Sequence, residues 1–180
     1  MIIGVPKETH PHEHRVGLTP FGASRLVRQG HTVVVEQGAG VTAHFFDVDY
    51  EGAGAQIVFS SEEAFRRADL VCGVEPVTAA ELEQLKSGSI LCNFQHLAVA
   101  PRDHVERLMQ LGTTAIGYEI IRDAEGHLAV LTPFSEMAGL LAVQVAGSLL
   151  QIESGGRGIL LGNVPGVPPA TVVILGAGTV

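Results

Sequence analysis

The chain has 180 residues, enough for one large domain or for one domain and the start of a second. A hydrophobic fraction of 46% and a charged fraction of 17% exclude a disordered chain and favour a well-buried globular protein. The net charge of −8, without a basic stripe, argues against nucleic acid as a partner, and no apolar run approaches the roughly 20 residues that span a bilayer.

The start of the chain and its two cysteines indicate a cellular compartment. The first residues lack the basic and apolar regions of a signal peptide and are typical of a strand. Cys72 and Cys92 both fall inside predicted strands, where buried free thiols are the ordinary interpretation. We therefore expect a protein of the reducing cytoplasm, with no membrane segment.

In chain order, the pattern first predicts a strand over residues 2–5. Thr19 and Pro20 then provide a helix N-cap and a proline at the first helical position, and Gly30 stands where that helix should end. The β-branched run within residues 31–36 is typical of a buried parallel strand. A short helix over residues 47–54 and a strand over residues 56–59 follow.

The same alternation continues through the next 60 residues. A helix is predicted over residues 61–67 and a strand over residues 70–74. Thr78 and Glu81 have capping-box spacing and should begin a helix that ends near Gly88. A strand, a helix and a strand are then expected over residues 90–94, 101–112 and 113–118. This alternation predicts an α/β fold, a doubly wound, open parallel sheet of Rossmann-like type.

The last third of the chain departs from this alternation and suggests the domain organisation. Residues 133–150 form the longest helical stretch, and residues 153–169 are rich in glycine and proline. A new strand is expected over residues 170–176. We therefore predict an α/β domain over residues 1–132, a linker helix and connector over residues 133–169, and the start of a second domain over residues 170–180.

The predicted final strand leads into Gly176 and Gly178, the first part of a G-x-G dinucleotide-binding fingerprint. The first glycine allows a tight turn, and the second lets the backbone approach a pyrophosphate. An ordinary turn at a strand end explains the same residues. The third glycine and the following helix are not in the sequence, so we expect little cofactor binding by this chain itself.

Three other side chains are candidates for a site. Arg15 follows the first strand and matches a carboxylate in geometry, although a solvated loop arginine fits as well. His96 follows a predicted strand at the same sheet edge and can serve a carbonyl substrate, or it is a structural histidine. Ser135 opens the long helix, where its ordinary role is that of an N-cap.

A metal site is a further hypothesis, because three histidines alternate in the loop that carries Arg15. Zinc sites combine ligands from separated positions, and nothing nearby completes the set. We therefore predict no metal. The three residues are His10, His12 and His14.

Taken together, the motifs resemble the alanine dehydrogenase family, which shares its architecture with the nucleotide-binding subunit of nicotinamide nucleotide transhydrogenase. The similarity covers essentially the whole chain, and its most specific part is the glycine-rich run at residues 155–170. The matching motifs are P-K-E (6–8), R-V-G-L-T-P (15–20), V-E-Q-G-A-G (35–40), H-L-A (96–98), Y-E (118–119), S-E-M-A-G (135–139) and G-G-R-G-I-L-L-G-N-V-P-G-V-P-P-A (155–170).

This resemblance implies an activity and a role for each candidate. The family converts L-alanine, NAD and water to pyruvate, ammonium and NADH. By resemblance, Arg15 binds the substrate carboxylate, His96 is a catalytic residue at the reacting end, and Ser135 lies against the NAD cofactor with Gly176 and Gly178. A homo-oligomer, commonly a hexamer, is also implied. The chain resembles the N-terminal part only, so we expect a truncated and inactive piece.

The sequence also departs from the family pattern. Where the family usually reads L-V-x-K-V-K-E-P, this chain has L-V-C-G-V-E-P over residues 70–76, one residue shorter and without either lysine. Leu140 replaces the usual arginine after the S-E-x-A-G motif. Loss of the substrate-binding lysine removes a charge worth several kcal/mol in a transition state. Two alternatives therefore stay open, a non-catalytic carboxylate-binding or oligomerisation protein and a transhydrogenase-type subunit.

Overall fold

Six parallel strands pair side by side in the order β3-β2-β1-β4-β5-β6. Sequential strands are added outward in both directions, so the winding of the sheet reverses between β1 and β4. Ligand sites of open α/β sheets form at such a reversal, beyond the carboxyl ends of the strands. The strands are β1 (Ile2–Val5), β2 (Thr32–Glu36), β3 (Gln56–Val58), β4 (Leu70–Cys72), β5 (Ile90–Asn93) and β6 (Thr114–Gly117).

Five helices connect these strands and cover both faces of the sheet. On one face, Ala23 of α1 and Tyr50 of α2 join the apolar cluster built on β1 and β2. On the other face, Phe65, Leu82 and Leu108 belong to three different helices and share a cluster with β4 and β5. The doubly wound α/β fold is confirmed. The helices are α1 (Pro20–Arg28), α2 (Asp47–Gly52), α3 (Ser61–Arg67), α4 (Ala79–Leu82) and α5 (Arg102–Leu111).

Local hydrogen bonds at the helix ends explain most boundaries. The Thr19 hydroxyl accepts a bond from the Gly22 N–H at 3.2 Å, and Gly30 has the positive φ of 85° expected after a helix. Thr78 and Glu81 form the predicted capping box at the start of α4. However, α4 ends at Leu82 and not near Gly88, because the next turns tighten into i to i−3 hydrogen bonds.

Close approach of α3 to the sheet depends on a glycine in β1. A Cβ atom at Gly4 would lie 2.8 Å from the Cβ of Ala68 and would overlap the backbone of α3. The helix therefore packs directly on the strand, and Ala64 and Ala68 are fully buried there.

The structure, a computed structural model, describes all 180 residues and divides into two units, Met1–Glu119 and Ile120–Val180. The sheet and its helices belong to the first unit. The second unit contains one long helix, α6 (Leu131–Leu149), which begins two residues earlier than the predicted start at residue 133. Pro133 is compatible with this start because the first turn of a helix needs no N–H donor. None of the helices combines the length and apolar character that crossing a membrane requires.

The strand predicted over residues 170–176 is wrong. These residues have no regular secondary structure and pair with no other strand. A parallel strand exists only through hydrogen bonds to a neighbouring strand, and its apolar run is not sufficient without one. Ile174 and Leu175 are accordingly 81% and 95% exposed.

Candidate functional site

Loops from four strands meet at the carboxyl edge of the sheet in the first unit. Arg15 follows β1, Glu75 follows β4, His96 follows β5, and Glu119 follows β6. Since β1 and β4 flank the reversal in strand order, these loops surround the crevice in which α/β proteins of this type place ligands.

The Arg15 guanidinium is held by two carboxylates. Its Nε donates to Oε1 of Glu13 at 2.8 Å, and its Nη2 donates to Oε2 of Glu13 at 2.5 Å and to Oε1 of Glu75 at 3.2 Å. The hydrogen bonds from Arg15 lower the pKa of Glu13 to about 2. The Arg15 side chain is 42% exposed, so a ligand in the crevice can reach it.

Glu8 joins the loops of β1 and β4 across the point where the strand order reverses. Its carboxylate accepts the backbone N–H of Val74 at 2.7 Å and that of Glu75 at 3.2 Å. Burial raises the pKa of Glu8, although these two N–H groups oppose the effect. The loop after β4 is therefore fixed by a carboxylate from the loop after β1.

The ring of Phe94 contacts both Arg15 and His96, the two main candidate site residues. The guanidinium carbon of Arg15 lies 5.9 Å from the ring centre of Phe94, a cation–π distance. The His96 ring stacks on the same phenylalanine, with ring centres 5.9 Å apart and planes 9° apart. Tyr118 meets Phe94 edge-on at 5.6 Å. The structure thus places Arg15 and His96 against one shared ring.

Glu119 fixes the backbone at His96. Its carboxylate accepts the N–H of Gln95 at 3.2 Å and that of His96 at 2.7 Å. Burial of Glu119 acts to raise its pKa, but backbone N–H donors, including those of His96 and Gln95, outweigh it and lower the pKa. This support matters because His96 has a positive φ of 47°, a conformation that a non-glycine residue rarely adopts.

The side-chain amides of Gln95 and Asn93 form consecutive buried hydrogen bonds next to the loop that carries His96. The Gln95 side-chain N–H donates to the Asn93 side-chain oxygen, and Asn93 donates in turn to the Glu75 carbonyl at 2.7 Å. Both amides are almost fully buried, so their hydrogen bonds connect the loops after β4 and β5 without solvent.

Gly73 lies where the motif L-V-x-K-V-K-E-P has its first lysine. A Cβ atom built there would lie 3.4 Å from Oε1 of Glu8 and 3.7 Å from the Cβ of Asn93. The site therefore contains the carboxylates of Glu8, Glu13 and Glu75 around one guanidinium. Lys86, one of the two lysines of the chain, pairs with Asp69 at 2.6 Å, away from this edge.

Sequence reasoning proposed Arg15 and His96 but missed the carboxylates and the ring that position them. Glu8 lies in the P-K-E motif and Glu119 in the Y-E motif, so the motifs marked both residues without showing their role. Glu13 and Glu75 carry no comparable signal, because their contacts with Arg15 join residues two and sixty positions apart.

The remaining predicted residues lie in the second unit. Ser135 is inside α6, four residues after its first residue, and so it is not the N-cap of that helix. Gly176 has a positive φ of 113°, and Gly178 lies in irregular backbone. A dinucleotide cradle needs a strand, a turn and a helix N-terminus. Residues 170–180 form neither strand nor helix, so they do not fit NAD as they stand.

Two further features lie outside the crevice. A cavity of about 610 Å³ between α4 and α5 includes His96, Leu82 and Arg107 in its lining, but not Arg15. In the second unit, ligand-type atoms of Asp123, Glu125 and His127 lie within 4.8 Å of one another on an exposed turn. The alternating histidines at residues 10, 12 and 14 belong to the loop before Arg15 and are not part of that group.

Comparison with known proteins identifies the family. The sequence model described as "Alanine dehydrogenase/PNT, N-terminal domain" matches residues 4–138, and the corresponding C-terminal domain model matches residues 142–180. The chain belongs to the alanine dehydrogenase/PNT family. The resemblance inferred from the motifs is therefore confirmed.

Members of the alanine dehydrogenase/PNT family match nearly the whole chain. This chain is 46% identical to alanine dehydrogenase of Mycobacterium tuberculosis over 99% of the length of this chain. It is 42% identical to alanine dehydrogenase of Bacillus subtilis over 100% of that length. These matches cover only 48% and 47% of the two relatives. The chain thus spans about half the length of the curated relatives that it matches.

Solved structures give the same relationship. An L-alanine dehydrogenase superposes with a TM-score of 0.89 at 46% identity, covering 99% of this chain and 49% of that one. A transhydrogenase from Sinorhizobium meliloti superposes with a TM-score of 0.73 at 27% identity, covering 82% of this chain and 44% of that one. Within the family, the similarity is therefore greater to this alanine dehydrogenase than to this transhydrogenase.

Proposed function

We propose that this chain is the substrate-binding portion of an NAD-dependent alanine dehydrogenase, in which the longer protein interconverts L-alanine and pyruvate. One observation carries the proposal. Arg15 is oriented at the reversal of strand order by Glu13 and Glu75, and it shares the ring of Phe94 with His96. A guanidinium held in this way matches a small carboxylate, and an imidazole beside it matches the carbonyl or amine end.

Each candidate has a defined role in this proposal. The substrate carboxylate binds Arg15 by displacing Glu75, the more distant of its two carboxylate partners. His96, held by Glu119, donates a hydrogen bond to the substrate oxygen or accepts one from the substrate nitrogen. In the longer protein, Ser135, Gly176 and Gly178 would contribute to an NAD site where residues 170–180 adopt the strand and helix start that such a site needs. A cytoplasmic homo-oligomer, a hexamer as in the family, belongs to the same proposal.

The charge balance explains why we expect no turnover from this chain alone. Three carboxylates surround one guanidinium, and Gly73 supplies no ammonium group beside them. Binding of an anionic substrate is therefore weaker than a site with an additional lysine would allow. Catalysis also loses the preorganised charge at the reacting centre.

The experiment that tests the proposal is a pyruvate titration followed by two-dimensional amide NMR. We expect saturable shifts at the amides of Gly73, Val74 and His96, because Val74 and His96 donate to carboxylates of the loops beside Arg15 and Gly73 precedes Val74. Arg15→Ala should weaken pyruvate binding about 100-fold, since a charge-assisted hydrogen-bonded pair is lost. Arg25→Ala removes an exposed arginine of α1 and is the matched control, expected to bind as the unmodified chain does.

Equal pyruvate affinity in the Arg15→Ala and Arg25→Ala variants would show that the carboxylate site lies elsewhere. Shifts confined to the cavity between α4 and α5, with none at Gly73 or Val74, would have the same meaning, because Arg15 does not line that cavity although His96 does.

The absence of a lysine at position 73 favours a second candidate function. In this alternative, the chain is a non-catalytic carboxylate-binding or oligomerisation protein derived from the same fold. This candidate predicts pyruvate binding or self-association without NADH oxidation, even when the chain is joined to an NAD-binding second half from a relative. Pyruvate- and ammonium-dependent NADH oxidation by that joined protein would exclude it. A transhydrogenase-type subunit is the third candidate, and its weaker similarity places it behind the other two.

A further inference from the structure

The two cysteines of the chain are adjacent in space, and the proposed function uses neither of them. Cys72 ends β4, Cys92 lies near the end of β5, and the two are direct register partners in this parallel pair. Register partners in parallel strands project to the same face of the sheet. Both residues are free thiols, and both side chains are only partly buried.

The spacing of the strands suits a covalent link. Neighbouring strands lie about 4.8 Å apart, which is within the Cα separation of about 4.4–6.8 Å that disulfides span, and a small inward shift of the two strand ends would bring the Cβ atoms into the required range of about 3.5–4.5 Å. The thiol of Cys72 is also fixed in place, since its Sγ lies 3.7 Å from the Tyr118 hydroxyl. We propose that Cys72 and Cys92 are a redox-active pair, which hydrogen peroxide or a similar two-electron oxidant converts to a reversible intramolecular disulfide.

The reaction balances with peroxide as the oxidant. One thiolate attacks a peroxide oxygen and becomes a sulfenic acid, and hydroxide leaves. The sulfur of the other cysteine then displaces the sulfenic oxygen as water, forming the S–S bond. In total, two thiols lose two electrons and two protons, and one peroxide is reduced to two waters. A thiol reductant reverses the change.

The bond would form at the base of the candidate site. Gly73, which follows Cys72, donates its N–H to the Cys92 carbonyl at 3.0 Å. The next residue, Val74, donates to Glu8, whose loop continues to Arg15. Oxidation therefore links the ends of β4 and β5 directly beneath the loop that holds the carboxylate-binding arginine. The pairing itself does not depend on the proposed function.

The environment of the thiols sets the pH dependence of this oxidation. Burial raises the pKa of Cys92 to about 11 and raises that of Cys72 as well. At neutral pH only a small fraction of either group is thiolate, the reactive form. The rate of oxidation through the Cys92 thiolate should therefore rise about tenfold per pH unit between pH 7 and 9, a range below its raised pKa.

The test treats the folded chain with hydrogen peroxide at pH 7, 8 and 9, then unfolds it and counts free thiols. We expect the count to fall from two to zero, with a loss of mass equal to two hydrogen atoms. Peptide mapping without reductant should show the peptides of Cys72 and Cys92 joined within one chain. Dithiothreitol should restore both thiols. Cys72→Ser and Cys92→Ser are matched controls, and neither variant can give this product.

Three results would overturn the proposal. Two thiols that persist under peroxide would show that the pair is inert. A gain of oxygen atoms without a cross-link would show that the sulfurs cannot reach each other. Disulfides only between separate chains, seen as dimers on a non-reducing gel, would show that the register pair is not the reacting pair.

Discussion

Glu13 is a residue of the candidate site whose ionisation is strongly coupled to the fold. The hydrogen bonds from Arg15 lower its pKa from the ordinary 4.5 to about 2. In the folded chain it stays ionised at pH values where the unfolded chain already binds a proton. Its contribution to stability is therefore present above pH 4.5 and is lost as the pH falls toward 2.

The variant Glu13→Gln tests this coupling. At pH 7 we expect its free energy of unfolding to be about 1–2 kcal/mol lower than that of the unmodified chain, after allowance for the partly exposed Arg15. The difference should shrink as the pH falls from 5 to 3, measured by urea unfolding at each pH. Glu62→Gln is the matched control because Glu62 pairs with Arg66 at 2.7 Å on an exposed helix surface. A difference that stays constant with pH would contradict the coupling.

Gly73 is a position at which this chain departs from the family motif, and the structure shows room for a side chain there. A new Cβ would make ordinary contacts with Glu8 and Asn93, and the φ of Gly73 is not in the left-handed region. Gly73→Lys should place an ammonium group beside the carboxylates and strengthen pyruvate binding about tenfold. Calorimetric titration measures the change.

Gly73→Gln is the control for that variant, since it adds a polar side chain without the charge. It should bind pyruvate no better than the unmodified chain. Equal gains in both variants would mean that bulk, and not charge, improves the site. No gain from lysine would mean that the anion does not bind near Gly73.

At the level of elements, local signals predicted well those boundaries that local hydrogen bonds define. Thr19 and Thr78 cap helices as their positions indicated, because a cap needs only residues three positions apart. The strand expected at residues 170–176 failed because a strand depends on a partner that no local pattern supplies. The early end of α4 reflects the i to i−3 hydrogen bonds of the following turns, which the capping motif at its start does not predict.

The loop between β1 and α1 packs closely against the end of β4 at Gly17. A Cβ atom at Gly17 would lie 2.6 Å from the carbonyl carbon of Cys72 and 2.9 Å from the Cα of Gly73. Gly17→Ala must therefore displace the loop that carries Arg15 or the end of β4. We expect the free energy of unfolding to fall by about 2 kcal/mol and pyruvate affinity to fall with it.

Gly52→Ala is the matched control because a Cβ there meets nothing within 4 Å and its φ is not positive. It should unfold at the same urea concentration as the unmodified chain, or at a slightly higher one. If Gly17→Ala matched this control in stability, the close contact with β4 would be relieved without cost and the prediction would be wrong.

At the level of the whole molecule, the site was only partly predictable. Its sheet edge followed from the fold class, and Arg15 and His96 followed from their motifs. The assembly of Glu8, Glu75, Phe94 and Glu119 around them did not, since each comes from a different loop. The tertiary fold brings these groups together, and their spacing along the sequence does not predict the contacts.

The second unit exposes far more apolar surface than the rest of the chain, and this has a consequence in solution. None of the residues of α6 is buried, and the exposed side chains of Leu140 and Leu175 belong to two separate stretches of this unit. Apolar surface of this extent drives association.

Sedimentation velocity should therefore show a sedimentation coefficient that rises with protein concentration. The double variant Leu140→Glu, Leu175→Glu should suppress this rise. Met109→Glu is the control, because Met109 is about as exposed as Leu140 and is the one exposed large apolar side chain of α5 in the first unit. If the control suppressed association as strongly, general charge repulsion would explain the effect. A coefficient independent of concentration would show that the exposed surface of the second unit does not self-associate.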